Sequence, residues 1–195
     1  MSHYFENDPS LKSKIREISC SFNGKNFVFK SDSGVFSNKE ADLGSLIFVK
    51  TLLGLDLKGK ILDLGCGYGT VGILLNSFNK NVEITYSDVN PKCVELTSNN
   101  LRQYDLNGKC LLSDGYLNID ERYDFILFNP PIRAGKEVIY RLYNESLEHL
   151  NEGGKLYLVI RKDKGALSHM KYLESICVPS RIINKDKGYL VIECL

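Results

Sequence analysis

The chain has 195 residues, 43% of them hydrophobic and 25% charged, and its formal net charge is +1. This length suits one α/β domain with a substantial core and is short for two. The near-neutral charge excludes binding of nucleic acid through an overall basic field, so an RNA ligand requires a local basic face. No apolar run approaches the roughly 20 residues of a membrane helix, and residues 1–14 lack the apolar core of a signal peptide. We therefore expect a cytoplasmic protein without membrane contact.

The cysteines are scattered singly along the chain, with no C-x-x-C pair. This spacing is unlike that of a zinc site or a disulfide framework. We expect reduced, mostly buried thiols and no bound metal. The six cysteines are Cys20, Cys66, Cys93, Cys110, Cys177 and Cys194.

The first predicted elements are two strands, at residues 14–22 and 25–30. They are joined by Asn23-Gly24, a dipeptide that accepts the positive φ angles of a tight hairpin. Asp42 is then expected to cap an apolar helix that runs to about residue 53.

From residue 60, short apolar strands alternate with helices, a pattern typical of a mostly parallel sheet covered on both faces. The predicted strands lie at 61–64, 82–86, 109–112, 123–128, 155–160, 180–183 and 189–194. Only residues 184–188 separate the last two strands, and so short a link permits an antiparallel hairpin but no parallel crossover.

The predicted fold class is therefore α/β: a doubly wound, seven-stranded, mostly parallel sheet with a final antiparallel hairpin, preceded by a short N-terminal β-hairpin. We expect a single domain over residues 1–195. Residues 1–41 form its hairpin and loop extension, and residues 42–195 form a ligand-binding catalytic core.

Two of the predicted helices have recognisable boundaries. Asn90 is expected to cap a helix that begins at Pro91. A second helix is predicted to end at Gly153-Gly154. Its apolar stripe, at three- and four-residue steps, consists of Ile139, Leu142, Tyr143, Ser146 and Leu150.

A glycine-rich turn, Asp63-Leu64-Gly65-Cys66-Gly67-Tyr68-Gly69, leads from the first strand of this sheet into a helix. Glycines there let the backbone turn sharply and approach a ligand closely. Gly65-x-Gly67-x-Gly69 behind Asp63 is the methyltransferase pattern, whereas Gly67-x-Gly69-x-x-Gly72 is also a literal dinucleotide fingerprint. Asp63 favours the first pattern, because an acid attracts the sulfonium and ammonium of S-adenosylmethionine and repels a pyrophosphate. A glycine turn without a ligand is the plain structural alternative. The candidate cofactor-binding residues of this turn are Asp63, Gly65, Cys66, Gly67, Tyr68 and Gly69.

Two further acidic residues follow neighbouring strands, at the edge where ligands bind in such sheets. Asp88, with Val89 beside it, is placed to accept hydrogen bonds from ribose hydroxyls. Its alternative role as a helix cap is already filled by Asn90. Asp114, next to Gly115, is either an acceptor for the adenine amino group or a turn residue.

The segment Asn129-Pro130-Pro131-Ile132 follows the fourth strand at the same edge. Its prolines remove two backbone donors and stiffen the turn, while Asn129 adds a side-chain acceptor. Two acceptors in a rigid frame can hold both hydrogens of a planar amino group and aim its lone pair at a methyl donor. Alone, the segment is best explained as the end of a strand. After the glycine turn, its four residues are predicted to be catalytic, and Asn129 is also predicted to touch the cofactor.

Together, the glycine turn and the Asn-Pro-Pro segment resemble the motifs of amino-methyltransferases that modify exocyclic or amide nitrogens. Within these, the chain is similar to the "methyltransferase small" family, whose best-known members are 16S and 23S ribosomal RNA guanine-N2 methyltransferases. The resemblance runs from about residue 27 to the end, through Gly34-Val35-Phe36-Ser37, Asp42-Leu43-Gly44-Ser45, Arg133-Ala134-Gly135-Lys136, Gly153-Gly154-Lys155-Leu156 and Lys187-Gly188-Tyr189. It implies a class I, Rossmann-like methyltransferase that uses S-adenosylmethionine, releases S-adenosylhomocysteine and needs no metal.

Two features depart from the family pattern. The larger ribosomal RNA enzymes resemble a duplication, and this chain has only the catalytic copy. Ile132 stands where many amino-methyltransferases carry Phe or Tyr, so another group has to sandwich a flipped base. Phe36 and the guanidinium of Arg133 are the candidates for that role.

A basic rim at the strand ends is suited to hold RNA phosphates, with an ordinary solvated face as the equal alternative. The candidate substrate-binding residues are Phe36, Arg133, Lys136, Arg161 and Lys162, with Arg141 and Lys164 near them.

The favoured function is methylation of guanine N2 in ribosomal RNA or in an assembling ribosomal subunit, by a monomer. One alternative with the same chemistry is methylation of adenine N6 or of a protein glutamine amide. A second is a non-catalytic S-adenosylmethionine-binding factor in ribosome assembly. A third is a nicotinamide-dependent oxidoreductase that uses the Gly67-x-Gly69-x-x-Gly72 register.

Overall fold

A computed structural model describes residues 14–32 and 41–194 of the chain. In that part, an N-terminal hairpin precedes an alternation of strands and helices, as expected. The elements are β1 (Ile15–Phe22), β2 (Lys25–Asp32), α1 (Leu43–Leu52), β3 (Gly59–Leu64), α2 (Thr70–Phe78), β4 (Val82–Asp88), α3 (Pro91–Gln103), β5 (Lys109–Leu112), β6 (Tyr123–Phe128), α4 (Lys136–Glu148), β7 (Leu150–Arg161), α5 (Ala166–Ser175), β8 (Ser180–Asp186) and β9 (Tyr189–Cys194), with 3₁₀ turns at Ile132–Ala134 and Lys162–Lys164.

The N-terminal hairpin packs against α3. Strands β1 and β2 pair antiparallel, and the turn residues Asn23 and Gly24 have φ angles of 47° and 76°, which confirms the predicted tight turn. The Tyr104 hydroxyl donates to the Val28 carbonyl at 2.8 Å, and the Phe27 ring lies 5.3 Å from the Tyr104 ring. The hairpin is thereby fixed to one face of the larger sheet.

Within residues 41–194, seven strands form one sheet in the order β5-β4-β3-β6-β7-β9-β8. Its strands pair parallel except β9, which is antiparallel to both β7 and β8. Lys187 and Gly188, with φ angles of 44° and 81°, make the turn of this final hairpin. The predicted fold class is confirmed. Two buried apolar clusters, one on each face of the sheet, form the core.

The predicted end of α4 is wrong. The helix ends at Glu148, with His149 as its C-cap, and Gly153-Gly154 lie inside β7. Strand β7 pairs with β6 at Leu150 and again at Lys155, with an irregular register between the two pairs. Gly153 takes up a positive φ of 73° there, so these glycines allow a bulge in a strand.

Both predicted helix caps are confirmed. The Asp42 carboxylate accepts from the Ser45 backbone N–H at the start of α1, at 3.0 Å. The Asn90 side chain accepts from the Lys92 N–H at 2.9 Å, with Pro91 as the first residue of α3. An acceptor at each of these positions satisfies an N–H that the first helical turn leaves unpaired.

The described part of the chain was searched for metal-binding clusters and for membrane-spanning helices. No group of three or more His, Cys, Asp or Glu side chains there is arranged to hold a metal ion. No helix among those residues is long and apolar enough to span a bilayer.

Candidate functional site

The registers of the parallel strands bring the predicted motifs to one edge of the sheet. Leu64, the last residue of β3, pairs with Phe128 of β6 and with Ser87 of β4. Gly65 and Asn129 therefore leave adjacent strands side by side. Asp88 ends β4 on the other side of β3, and it pairs with Leu112 at the end of β5.

The glycine turn owes its shape to left-handed backbone conformations. Gly65, Gly67 and Gly69 have φ angles of 67°, 61° and 89°, which L-residues with a Cβ rarely adopt. A Cβ on Gly69 would also lie 2.8 Å from Ile73 and 3.1 Å from Thr97. The turn leaves Gly65 exposed and Gly67 partly exposed, so its open side is available to a ligand.

Two buried polar side chains of α3 hold the carbonyls of this turn. The Thr97 hydroxyl donates to the Gly67 carbonyl at 2.9 Å, and the Asn100 side chain donates to the Tyr68 carbonyl at 2.8 Å. Asn100 also accepts from the Lys30 N–H of the hairpin at 2.8 Å. With its carbonyls tied to α3, the turn keeps a fixed backbone orientation. Neither residue belongs to a recognisable motif, so neither was predicted from the sequence.

Asp63 lies beneath the turn, where only 3% of its surface is exposed. Its carboxylate accepts from the Gly72 N–H in the first turn of α2, at 2.9 Å. Burial raises the pKa of Asp63 to about 7, against the lowering effect of the Gly72 bond, and the nearby Asp88 raises it further. The Asp63 carboxylate can therefore attract a cationic ligand only through the intervening backbone, because it does not reach the open side of the turn.

Asp88 anchors the turn from β4. One carboxylate oxygen accepts from the Gly67 N–H at 2.9 Å, and the other accepts from the Asn90 N–H at 2.9 Å. Burial raises the pKa of this carboxyl, and the bonds from Asn90 and Gly67 oppose the shift. An ionised carboxylate has about four lone-pair sites, so capacity remains for a vicinal pair of ribose hydroxyls. The acceptor and the adjacent glycine turn fit the adenosyl group of S-adenosylmethionine.

Asp114 and Arg141 form an ion pair at the end of β5, with 2.7 Å between Oδ1 and Nη2. Arg141 also pairs with Glu145 at 3.0 Å, so its charge is matched within the fold. Gly115 lies against Glu145 and Leu142, where a Cβ would collide. The exposed Asp114 keeps unused acceptor capacity, and either of its predicted roles remains compatible with this position.

A cleft of about 160 Å³ opens beside Asn129. The Asn129 side-chain NH₂ donates to Asp42 Oδ2 at 3.0 Å and to Ser45 Oγ at 3.1 Å. The Pro131 carbonyl accepts from the Ala134 N–H at 2.8 Å, which fixes the turn that follows. The cleft is lined by Asp42, Asn129, Pro130, Ile132, Val159, Ile160, Arg161, Lys164 and Tyr189.

The predicted basic rim is only partly assembled at this cleft. Arg161 lines it, but the Arg161 guanidinium makes two hydrogen bonds to Asp163, at 2.9 and 2.7 Å. Lys136 donates to the Ser168 hydroxyl at 2.8 Å. Arg133 and Lys162 are exposed next to the cleft residues Ile132 and Arg161. Phe36 lies outside the described residues.

Two polar residues that line the cleft, Asp42 and Tyr189, were not predicted from the sequence to be functional, nor was Ser45, which contacts Asn129. Asp42 was interpreted as a helix cap and Tyr189 as part of a strand, each within a family block. The half-buried Tyr189 ring lies below the Arg161 guanidinium, 5.9 Å from it. The available signal was the likeness of Asp42-Leu43-Gly44-Ser45 and Lys187-Gly188-Tyr189 to blocks of one family.

The chain is similar to several known proteins. A family model described as "Methyltransferase small domain" matches residues 26–193. A Bacillus subtilis (strain 168) protein, "Uncharacterized protein YbxB", is 42% identical over 98% of this chain and 96% of its own length. "Ribosomal RNA small subunit methyltransferase C" of Haemophilus influenzae is 34% identical over 69% of this chain, which spans only 42% of that relative.

Among solved structures, the T. thermophilus 16S rRNA N2 G1207 methyltransferase, in complex with AdoMet and guanosine, superposes with a TM-score of 0.80 and 26% identity. The match covers 97% of this chain and 52% of that one. A ribosomal protein L11 methylase from Lactobacillus delbrueckii has a TM-score of 0.66 at 13% identity, over 78% of this chain and 76% of its own. At that identity the likeness extends to the fold alone.

Proposed function

Because the chain belongs to the methyltransferase small domain family and is by family and fold an S-adenosylmethionine-dependent methyltransferase, we propose that its target is the exocyclic amine N2 of a guanine in ribosomal RNA. The observation that carries an amine target is the orientation of Asn129. Its NH₂ faces Asp42 and Ser45, so its carbonyl oxygen is the group left to accept from a substrate. The names of the ribosomal RNA relatives support the choice of RNA.

Methyl transfer to an amine requires few groups of the protein. When bound, S-adenosylmethionine supplies a methyl group on a sulfonium sulfur, which departs as neutral S-adenosylhomocysteine. The target amine needs its lone pair free and aimed, because that pair forms the new N–C bond. Accepting an amine hydrogen at Asn129 Oδ1 draws the lone pair out of conjugation and stabilises the positive charge that develops on nitrogen. After transfer, the nitrogen loses a proton to water.

A direct assay tests the proposal. The purified protein is incubated with unmodified 16S and 23S transcripts, with small ribosomal subunits and with labelled S-adenosylmethionine. The nucleosides of the digested RNA and the peptides of the digested ribosomal proteins are then separated by mass. We expect N2-methylguanosine. Label in N6-methyladenosine would redirect the proposal to adenine, and label only in methylglutamine would redirect it to protein. No transfer to any of these substrates would overturn it.

Tyr189 is proposed as the aromatic wall that Ile132 does not supply. Loss of the ring in Tyr189→Leu is expected to raise KM for the RNA about tenfold, because base–aromatic stacking contributes roughly 1–3 kcal/mol per base. The Kd for S-adenosylmethionine should stay unchanged. Tyr189→Phe keeps the ring and serves as the matched control. An unchanged KM in the Leu variant would remove Tyr189 from the substrate site.

The affinity for S-adenosylmethionine is expected to rise with pH through about 7, in step with the raised pKa of Asp63. A cationic ligand favours the ionised carboxyl and lowers this pKa, so binding releases a proton and is weaker at pH 5.5 than at pH 7.5. Calorimetry across this range measures the slope. Asp63→Asn should flatten it, whereas the exposed control Asp163→Asn should not. A wild-type affinity independent of pH would contradict the coupling.

A further inference from the structure

The Asp42 carboxylate performs two tasks with one oxygen. Asp42 Oδ2 accepts from the Ser45 backbone N–H at 3.0 Å and from the Ser45 hydroxyl at 3.1 Å, which caps α1. The same oxygen accepts from the Asn129 NH₂ at 3.0 Å, across 87 residues of chain. The Ser45 hydroxyl, which donates to Asp42, accepts from Asn129 at 3.1 Å. The three side chains form a closed network at the edge of the cleft.

The chemistry of these partners fixes which way the Asn129 amide points. An ionised carboxylate only accepts hydrogen bonds, so the group that faces Asp42 has to be the NH₂. The Asn129 carbonyl oxygen is thereby turned away from α1. With the amide reversed, the two carbonyl-type oxygens of Asn129 and Asp42 would face each other, and the NH₂ would meet the substrate.

We propose that Asp42 and Ser45 are positioning residues for methyl transfer, which lock Asn129 with its carbonyl oxygen presented to the target amine. This inference rests on the proposed amine target. In the reversed orientation, the Asn129 NH₂ would oppose the hydrogens of the amine or donate to its lone pair, and either contact would suppress attack on the methyl group. The network excludes that orientation before substrate arrives, so no reorganisation is needed during the reaction.

The packing of α1 keeps this network at the cleft. Gly44, between Asp42 and Ser45, lies against the Tyr189 ring, where a Cβ would come within 2.6 Å of Tyr189 Cε1. A residue without a side chain lets the first turn of α1 approach β9 closely. The sequence Asp42-Leu43-Gly44-Ser45 thus caps a helix, approaches an aromatic wall and orients Asn129.

Asp42→Ser separates the two tasks of Asp42, because it keeps the N-cap of α1 and removes the contact with Asn129. Serine is a good N-cap, but its shorter side chain withdraws the acceptor from Asn129. Asp42→Ser is therefore expected to fold, to lower kcat by about tenfold or more, and to leave KM for RNA and the Kd for S-adenosylmethionine within about threefold. Thr51→Ala is the matched control on the same helix. It deletes the hydroxyl that accepts from Asn184 at 2.7 Å, and it should leave kcat unchanged.

A double-mutant comparison shows whether Asp42 acts through Asn129. If it does, Asp42→Ser lowers kcat in the wild-type background but causes no further loss in an Asn129→Ala background. An equal loss in both backgrounds would mean that Asp42 acts independently of Asn129 and would overturn the proposal. So would an unchanged kcat in Asp42→Ser.

A spectroscopic measurement tests the orientation without any activity. In ¹⁵N-labelled protein, the Asn129 side-chain NH₂ signals are identified by their loss in Asn129→Ala. We expect these signals to be shifted and protected from exchange in the wild type, and to move to positions typical of a solvated amide in Asp42→Ser. If wild-type protein methylates no RNA, the proposed function fails while this result still stands. Signals unaffected by Asp42→Ser would refute the positioning role itself.

Discussion

Replacing Asn129 by Ala is expected to lower kcat roughly 10²–10³-fold, the usual cost of losing one preorganised polar contact at a reacting centre. Its side chain is held by two hydrogen bonds on one side and faces the cleft on the other. The affinity for S-adenosylmethionine should fall far less, because Asp88 and the glycine turn are unchanged. Single-turnover rates at saturating cofactor and RNA separate lost chemistry from lost binding.

Asn129→Asp is expected to be no milder than Asn129→Ala, although it preserves the shape of the side chain. The new carboxylate would stand about 3.0 Å from Asp42 Oδ2, and like charges at that distance cannot both ionise without cost. It would also lack the NH₂ that Asp42 and Ser45 accept from. Asn144→Ala, at an exposed site on α4, is the control and should keep the wild-type rate. Wild-type turnover by Asn129→Ala would reduce the Asn-Pro-Pro segment to a strand terminator.

Removal of the Asp88 carboxylate in Asp88→Ala is expected to weaken binding of S-adenosylmethionine and S-adenosylhomocysteine by roughly 2–3 kcal/mol, or about 30- to 150-fold in Kd. The substitution deletes the proposed acceptor for the ribose hydroxyls. It also frees the Gly67 N–H, which Asp88 holds at 2.9 Å, although the Cys66 N–H still ties the turn to the Ser87 carbonyl of β4 at 2.9 Å.

Titration calorimetry with both ligands measures this loss. Asp88→Asn retains one acceptor oxygen and should give an intermediate affinity. Asp56→Ala, a control that removes an exposed acid paired only with Lys58 at 2.7 Å in the described structure, should bind like the wild type. Wild-type affinity in Asp88→Ala would leave Asp88 with a structural role alone, as an acceptor for the Gly67 and Asn90 N–H groups.

The sequence was sufficient for the features that depend on local rules. Asn23-Gly24 has the positive φ angles predicted for it, Asp42 and Asn90 cap their helices, and a five-residue separation correctly required an antiparallel final pair. The end of α4 was predicted wrongly at Gly153-Gly154, because a glycine pair is compatible with both a helix end and a strand bulge. Only the pairing with β6 distinguishes the two.

The features that sequence analysis missed depend on contacts between distant residues. Asp42 reaches Asn129 across 87 positions, and Tyr189 meets Gly44 from a strand at the opposite end of the chain. Asp63 was predicted to lie beside a ligand because of its charge. Its burial beneath the turn depends on how α2 packs, which the charge does not show. A periodic pattern carries no information about such pairings.

The position of β9 also bears on how the protein is made. This strand follows β8 in the chain but lies inside the sheet, between β7 and β8. During synthesis, the edge of β7 therefore has no neighbour until residues 189–194 have left the ribosome, and an unpaired edge is prone to association with other chains. The same late segment brings Tyr189 to the cleft. A chain that lacks residues 189–194 would therefore have an unpaired β7 edge and a cleft without Tyr189.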